Sequence, residues 1–161
     1  TLYIPNIQNM LQTPDLSSFR SRLPVQLRFN DIDILGHVNN TVYFSFYDTG
    51  KAHYFNAVRH GRMNWQKVET VIANVNCTYM QPIVFGEEID VYTRCVSASE
   101  KSFVLLQALV ERKTLTVKSV CETVMVCYDP VAKTSIEMPA DWRRDFNEYE
   151  GRDLLRHKNT E

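Results

Sequence analysis

Apolar and polar residues alternate over five stretches of the chain, which is the period-two pattern of a β-strand with one buried face. The first stretch is short and has Val25, Leu27 and Phe29 on its apolar side. Four longer stretches follow at residues 71–79, 89–95, 103–112 and 117–128. The connections between these four stretches are short, so we expect the strands to be antiparallel neighbours.

Between the first and second strands the apolar period becomes that of a helix. From Thr41 to about Val58 the apolar residues form a broad stripe: Val42, Tyr43, Phe46, Tyr47, Tyr54, Phe55 and Val58. Asn39 or Asn40 is expected to cap this helix, because an Asn side chain accepts a hydrogen bond from an early helical N–H. A short final helix is predicted at Pro139, since proline suits a first helical turn.

One long helix and one antiparallel sheet that bury each other define an α+β fold. The 161 residues suffice for one domain with its own core. Residues 24–150 are predicted to form this domain. Residues 1–23 are expected to be an extension that packs on the surface, with a short helical turn near Ser17 to Ser21. Residues 151–161 are expected to be a charged, frayed tail.

Composition and charge exclude several classes of partner. The net charge of −1 lacks the basic footprint that nucleic-acid binding usually leaves. The chain has no polybasic face for a membrane surface and no apolar run near the ~20 residues of a spanning helix. Its first residues lack the pattern of a signal peptide. We therefore expect a cytoplasmic protein with neither a nucleic-acid nor a membrane partner.

The four cysteines are Cys77, Cys95, Cys121 and Cys127. They form no Cys-x-x-Cys pair and no cluster with zinc spacing. Cys121 and Cys127 share one predicted strand, too far apart to be bridged. We expect all four to be small buried hydrophobes in a reducing compartment.

Several candidate functional side chains are clustered between the first strand and the helix. Residues 31–40 there read Asp-Ile-Asp-Ile-Leu-Gly-His-Val-Asn-Asn. Two carboxylates and a histidine therefore precede a helix N-terminus, which presents unpaired N–H groups and partial positive charge. Asp31 would share a face with Asp33 if the strand extended that far, and such a pair can hold a divalent metal. No further ligand cluster is evident, so we expect neither a metal nor a cofactor.

Residues 31–40 and the positions that follow resemble the 4-hydroxybenzoyl-CoA thioesterase-like branch of the acyl-CoA thioesterases. The later matching positions are Tyr43, Phe46, Asp48, Tyr79, Pro82, Gly86 and the run Lys101-Ser102-Phe103. The resemblance covers roughly residues 24–142. It implies the hotdog fold, in which a curved antiparallel sheet of about five strands wraps around one long central helix.

The resemblance also implies roles for three residues as catalytic groups. The family's catalytic Asp is the second of the Asp-x-Asp pair, which matches Asp33, and would act as nucleophile or general base. Asn40 matches the residue whose amide faces the thioester carbonyl, although the N–H groups of Asn39 and Thr41 are also candidates. His37 is expected to orient water, bond Asp33 or contact the oxyanion, unless it is a structural hydrogen-bonder.

Four further residues are candidates for contacts with the substrate. Gly36 permits a turn or a close substrate approach, Asn39 stands at the helix start, and Tyr43 would border the acyl tunnel. Asp48 would support the site or a neighbouring subunit, or else be an exposed helix acid.

These observations predict an acyl-CoA thioesterase that cleaves an acyl thioester to a free acid and a thiol. Hotdog sites usually lie between two protomers, so a homodimer or homotetramer is expected. An acyl-ACP thioesterase is an alternative, although the position of that family's catalytic Asn is occupied by Leu35. A hotdog hydratase or dehydratase and a non-catalytic acyl-thioester binding module are two others.

Overall fold

The computed structural model describes residues 10–66 and 69–155, and the structural statements below concern these residues. Residues 1–9 of the expected extension and residues 156–161 of the expected tail lie outside them. The strands are β1 (Ser21–Val25), β2 (Thr70–Tyr79), β3 (Ile89–Ala98), β4 (Ser102–Glu111), β5 (Thr116–Asp129) and β6 (Thr134–Ser135), and the helices are α1 (Val42–Val58) and α2 (Ala140–Glu150). No helix in this part of the chain is long and apolar enough to cross a membrane.

The main sheet is antiparallel and has the order β1-β3-β4-β5-β2, with β6 pairing to β5. Bulges interrupt the register in three strand pairs, between Ile72 and Asn74, between Cys95 and Ser97, and between Leu109 and Val110. Bulges bend a strand and increase its twist, which helps the sheet to curve around α1. The predicted hotdog architecture is confirmed.

The core lies between α1 and the sheet. The first half of α1 buries Tyr43, Phe46 and Tyr47 against residues that include Ile89 and Leu109. The second half buries Tyr54, Phe55 and Val58 in a second cluster, together with Phe103 of β4 and Phe146 of α2. The predicted stripe of α1 is therefore the surface that holds the helix on the sheet.

The helix and the sheet approach most closely at Gly50. A Cβ atom at this position would lie 2.7 Å and 3.0 Å from the two Cγ atoms of Val91, and 3.1 Å from Nε2 of Gln107. The same Gln107 Nε2 donates to the backbone oxygen of Tyr47 at 2.9 Å and to Thr93 Oγ1 at 2.9 Å. A buried amide of β4 thus holds the middle of α1 at a distance that only glycine permits.

The N-terminal segment covers the other face of the sheet. Leu11, Leu16 and Phe19 pack against a buried cluster that includes Tyr92 and Val110. The described part of this segment has a one-turn helix at Leu16–Ser18, where Asp15 Oδ1 accepts from the Ser17 N–H at 3.0 Å. The turn lies slightly before the predicted position.

The position predicted for the first strand was wrong. The strand β1 lies at Ser21–Val25, paired from Ser21↔Thr93 to Val25↔Ile89, and the chain leaves the sheet afterwards. Phe29 is 80% exposed and begins a 3-10 turn. The alternation of apolar residues continues past Val25, but the pairing does not, because β3 begins opposite Val25.

The expectation of a frayed tail was wrong for residues 151–155. Leu154 is buried, and its backbone oxygen accepts from the Ala98 N–H at 2.7 Å. Arg152 donates to the Val96 oxygen at 2.7 Å. The tail composition is charged, but one apolar side chain and these backbone contacts attach it to β3.

Replacing Gly50 by alanine tests the close approach of α1. In an exposed helix, a change from glycine to alanine stabilises the helix by about 1 kcal/mol, because alanine has the higher helix propensity. Here we expect the free energy of unfolding to fall by about 1–3 kcal/mol, because the new methyl group overpacks Val91 and Gln107. Urea denaturation measures the change, with Ser45→Ala on the exposed face of α1 as the control. An unchanged or increased stability of Gly50→Ala would contradict this packing.

Candidate active site

The loop between β1 and α1 closes as a tight turn around Gly36. Ile32 bridges to Val38, the Asp33 N–H donates to the His37 oxygen at 2.8 Å, and the Gly36 N–H donates to the Asp33 oxygen at 3.0 Å. Gly36 has φ of 78°, in the left-handed region that glycine adopts without a Cβ penalty. The turn brings Asp33 and His37 opposite each other.

One of the two oxygens of the Asp33 carboxylate is hydrogen-bonded within this turn. Its Oδ1 accepts from the Leu35 N–H at 2.9 Å, as Asp side chains commonly do in turns. In the described part of the chain, Oδ2 has no hydrogen-bond partner, and the residue is partly exposed. One oxygen of Asp33 therefore orients the carboxylate, while the other keeps its capacity to accept a hydrogen bond.

The Asn40 N–H, just before the start of α1, is an unused backbone donor. The Asn39 N–H donates to the Asp31 oxygen at 2.8 Å, and the Thr41 N–H donates to Asn39 Oδ1 at 3.0 Å. The Val42 N–H donates to the Asn39 oxygen at 2.9 Å. Within residues 10–66 and 69–155, the Asn40 N–H has no acceptor. The prediction of an Asn cap was wrong, because the N-cap of α1 is Thr41 and has no side-chain cap bond; the Asn39 side chain instead accepts from the Thr41 N–H just before the helix. In the described residues, Asn40 keeps a free N–H.

The opposite wall of the site is the end of β2 and the turn that follows it. Tyr79 donates its hydroxyl to the Asn40 oxygen at 3.0 Å, and its ring meets the edge of Tyr43 at 4.9 Å between centroids. The loop is joined to this wall by the Val38 N–H, which donates to the Ile83 oxygen at 2.8 Å. Burial raises the pKa of Tyr43, and burial with the nearby Cys77 raises the pKa of Tyr79 to about 12. Both phenols are therefore neutral donors at physiological pH.

Between these walls lies an open cleft of about 400 Å³. It brings together all three predicted catalytic residues and one predicted contact residue, Tyr43. Its lining is Asp33, Leu35, His37, Val38, Asn40, Tyr43, Tyr79, Met80, Gln81 and Pro82. Larger depressions of about 540 and 590 Å³ exist elsewhere on the surface. The convergence of a carboxylate, an imidazole and a free N–H distinguishes this cleft from them.

The other predicted contact residues lie outside the cleft lining. Gly36 and Asn39 build the turn and the helix start. Asp48 is exposed on α1 and forms an ion pair with the buried Lys51 at 2.9 Å. Asp31 does not share a face with Asp33, because the strand ends earlier. Its Oδ2 accepts from the Arg28 N–H at 2.7 Å, and it lines a separate groove.

The lining residues that the sequence does not assign to the site are Leu35 and Val38 of the loop and the segment Tyr79 to Pro82. Tyr79 and Pro82 were recognised as matching positions on a strand and turn, without a role at the site. Their distance of about forty residues from the loop leaves no local signal that Tyr79 bonds Asn40. The Tyr-x-x-Pro spacing is the one signal that singled them out.

One group of side chains in the described residues has the spacing to share a metal ion, namely His60, Asp145 and Glu148, whose ligand atoms lie within 4.8 Å of one another. Arg59 donates to Asp145 Oδ2 at 2.6 Å, and Arg144 pairs with Asp145 Oδ1 at 3.1 Å. Both oxygens of the central carboxylate are thus already engaged by arginines. The group lies outside the cleft lining.

Residues 27–146 match the family model described as the thioesterase-like superfamily. The chain belongs to this superfamily, and its class is that of the hotdog-fold thioesterases.

The acyl-CoA thioester hydrolase YbgC of Escherichia coli is 24% identical over 132 residues, which are 79% of this chain and 96% of that protein. YsmA of Bacillus subtilis is 28% identical over 89 residues, so the match spans 55% of this chain and 60% of that relative. A Thermus thermophilus thioesterase, solved with coenzyme A and zinc, superposes with a TM-score of 0.76 at 27% identity. That superposition covers 85% of this chain and 98% of the other.

Proposed function

We propose that the protein hydrolyses acyl-CoA to a free carboxylic acid and coenzyme A in the cleft between the loop and β2. The observation that carries the proposal is the convergence of the open Asp33 Oδ2 and the free Asn40 N–H in one cleft. Thioester hydrolysis requires these two functions, an attacking or water-activating base and a donor for the oxyanion. Family membership supports the reaction class, and YbgC and the coenzyme A complex support CoA as the carrier.

In the proposed mechanism, the thioester carbonyl oxygen accepts a hydrogen bond from the Asn40 N–H. The N-terminal end of α1 adds partial positive charge at the same place. The two neighbouring amides are already bonded within the loop, so this donor is not drawn away by a competing partner. Negative charge that develops on the carbonyl oxygen would then be stabilised by a group that needs no reorganisation.

Asp33 supplies the other half of the reaction. Its Oδ1 is held by the Leu35 N–H, which leaves Oδ2 to attack the carbonyl carbon or to take a proton from an attacking water. Collapse of the tetrahedral intermediate breaks the C–S bond. If Asp33 acts as the base, its carboxyl returns the proton taken from water to the departing thiolate, and the acid is released directly. If Asp33 acts as the nucleophile, the thiolate takes a proton from solvent, and water then hydrolyses the acyl-Asp33 anhydride to the free acid. In this proposal His37, across the turn from Asp33, orients the water.

The Asp33→Asn variant is expected to lower kcat for acyl-CoA hydrolysis by about 100- to 10,000-fold, because the amide is neither a base nor a nucleophile. Thiol release, followed with a thiol-reactive dye over short, medium, long and aromatic acyl-CoAs, measures the rate. Asp31→Asn is the matched control, since Asp31 lies two residues away but outside the cleft. Equal rates in wild type and a folded Asp33→Asn protein would refute the mechanism.

The role of the Asn40 N–H can be tested separately from that of its side chain. Asn40→Ala keeps the N–H and is expected to retain most of the activity, whereas Asn40→Pro removes the donor. We expect kcat for Asn40→Pro to fall by about 100- to 1,000-fold relative to Asn40→Ala. Circular dichroism and thermal unfolding verify that both variants fold. Similar rates in the two folded variants would exclude this amide as the oxyanion donor.

We also propose that the protein forms the expected homodimer or homotetramer, and that two copies of the chain pair through β2. The strand is an edge of the sheet, and its side chains Val71, Ile72 and Val75 are 42%, 49% and 40% exposed. An exposed apolar edge is prone to pair with another strand, and a second copy would cover it. A cytoplasmic location stays a prediction.

Light scattering with size-exclusion chromatography tests the assembly. Wild type is expected to have at least twice the mass of one chain, and Val75→Lys is expected to shift it toward the monomer by charging the edge. Val131→Lys, at a 90% exposed position after β5, serves as the control and should leave the mass unchanged. A monomeric wild type, or a Val75→Lys protein of unchanged mass, would argue against an interface at β2.

A further inference from the structure

Two of the four cysteines face each other across neighbouring strands. Cys77 of β2 stands directly opposite Cys121 of β5 in the antiparallel register. Opposite residues in such a pair have Cα atoms about 4.5–5.5 Å apart. A disulfide requires a Cα separation of about 4.4–6.8 Å, so the backbone already has a spacing that a disulfide can bridge.

The two thiols lie on the helix-facing side of the sheet, and each has a hydroxyl neighbour. Cys77 Sγ is 3.5 Å from Ser119 Oγ, and Ser119 Oγ is 2.6 Å from the Tyr47 hydroxyl. Cys121 Sγ is 3.8 Å from Thr123 Oγ1. Both sulfurs therefore point to the same face of the sheet, which a bond between them requires.

The remaining two cysteines lack this arrangement. Cys95 stands opposite Leu105, and Cys127 stands opposite Thr70. Both are buried, whereas Cys77 is partly exposed, two residues before Tyr79 at the wall of the cleft. An oxidant from solvent can therefore reach one member of the opposed pair.

The thiols also differ in acidity. Interaction with the Cys121 thiol, assisted by the hydroxyls of Ser119 and Tyr79, lowers the pKa of Cys77 to about 6 against the effect of burial. The same interaction raises the pKa of Cys121, and burial raises that of Cys95 to about 12. Because the thiolate is the reactive form, Cys77 is the first sulfur to react.

We propose that Cys77 and Cys121 form a peroxide-oxidisable dithiol that closes reversibly to an intramolecular disulfide beside the cleft. The inference rests on register and contacts and does not depend on the proposed hydrolysis.

Hydrogen peroxide is the oxidant, and the reaction has two steps. The Cys77 thiolate attacks one peroxide oxygen, the O–O bond breaks, and a sulfenic acid forms. The departing hydroxide takes up the proton that Cys77 released and becomes water. The Cys121 sulfur then attacks the Cys77 sulfur, the S–O bond breaks, and the leaving hydroxide takes the Cys121 proton to form a second water. The two sulfurs together lose the two electrons that peroxide gains.

The full chain, first reduced and then treated with hydrogen peroxide, tests the proposal. We expect the intact mass to fall by two hydrogen atoms and the titratable thiols of the unfolded protein to fall from four to two. Peptide mapping should join the peptides that contain Cys77 and Cys121, and dithiothreitol should restore all thiols.

Variants locate the bond. Cys77→Ser and Cys121→Ser are each expected to abolish the loss of two hydrogens, whereas Cys127→Ala should retain it. The mapping of wild type decides the assignment even if a variant folds poorly. Oxygen addition at Cys77 without a cross-link, a disulfide between two chains, or a bond that involves Cys95 or Cys127 would each overturn the proposal.

Discussion

The packing of α1 against the curved sheet at Gly50 is the constraint from which the rest of the structure follows. The missing side chain lets the helix backbone come close enough for the buried Gln107 to bond the Tyr47 oxygen. A helix held at its middle by a buried amide, and along its length by aromatic side chains, has a fixed axis. The N-terminus of α1 therefore has a fixed position at the edge of the sheet, where the loop and the end of β2 meet.

The chemistry available at the N-terminus of α1 depends on which hydrogen-bonding groups of the loop already have partners. Hydrogen bonds within the loop between β1 and α1 already use the Asn39 and Thr41 N–H groups and one oxygen of Asp33. The groups that they leave include the Asn40 N–H and the second oxygen of Asp33, both at residues that line the same cleft. Tyr79 adds a restraint from the opposite wall by holding the Asn40 oxygen. A site of this kind is organised before a substrate arrives, and oxyanion stabilisation depends on such preorganisation.

The edge strand β2 combines several features that lie apart in the sequence. Its end forms a wall of the cleft, its exposed apolar side chains are suited to a second copy of the chain, and Cys77 stands between these two regions. Burial, together with the Cys77 thiol, also raises the pKa of Tyr79. A covalent change at Cys77 would therefore occur next to a residue that holds the start of α1.

The sequence alone determined the α+β class, the central helix, four of the strands and the motif that contains Asp33, His37 and Asn40. These features depend on local periodicity and on residues close together in the chain. Tertiary pairing decided the rest. It moved the first strand to Ser21–Val25, because β3 provides backbone partners only there. It separated Asp31 from Asp33 and, within the described residues, left the Asn40 N–H without an acceptor. It also set Cys77 opposite Cys121, since a cross-strand neighbour is defined by register rather than by distance along the chain.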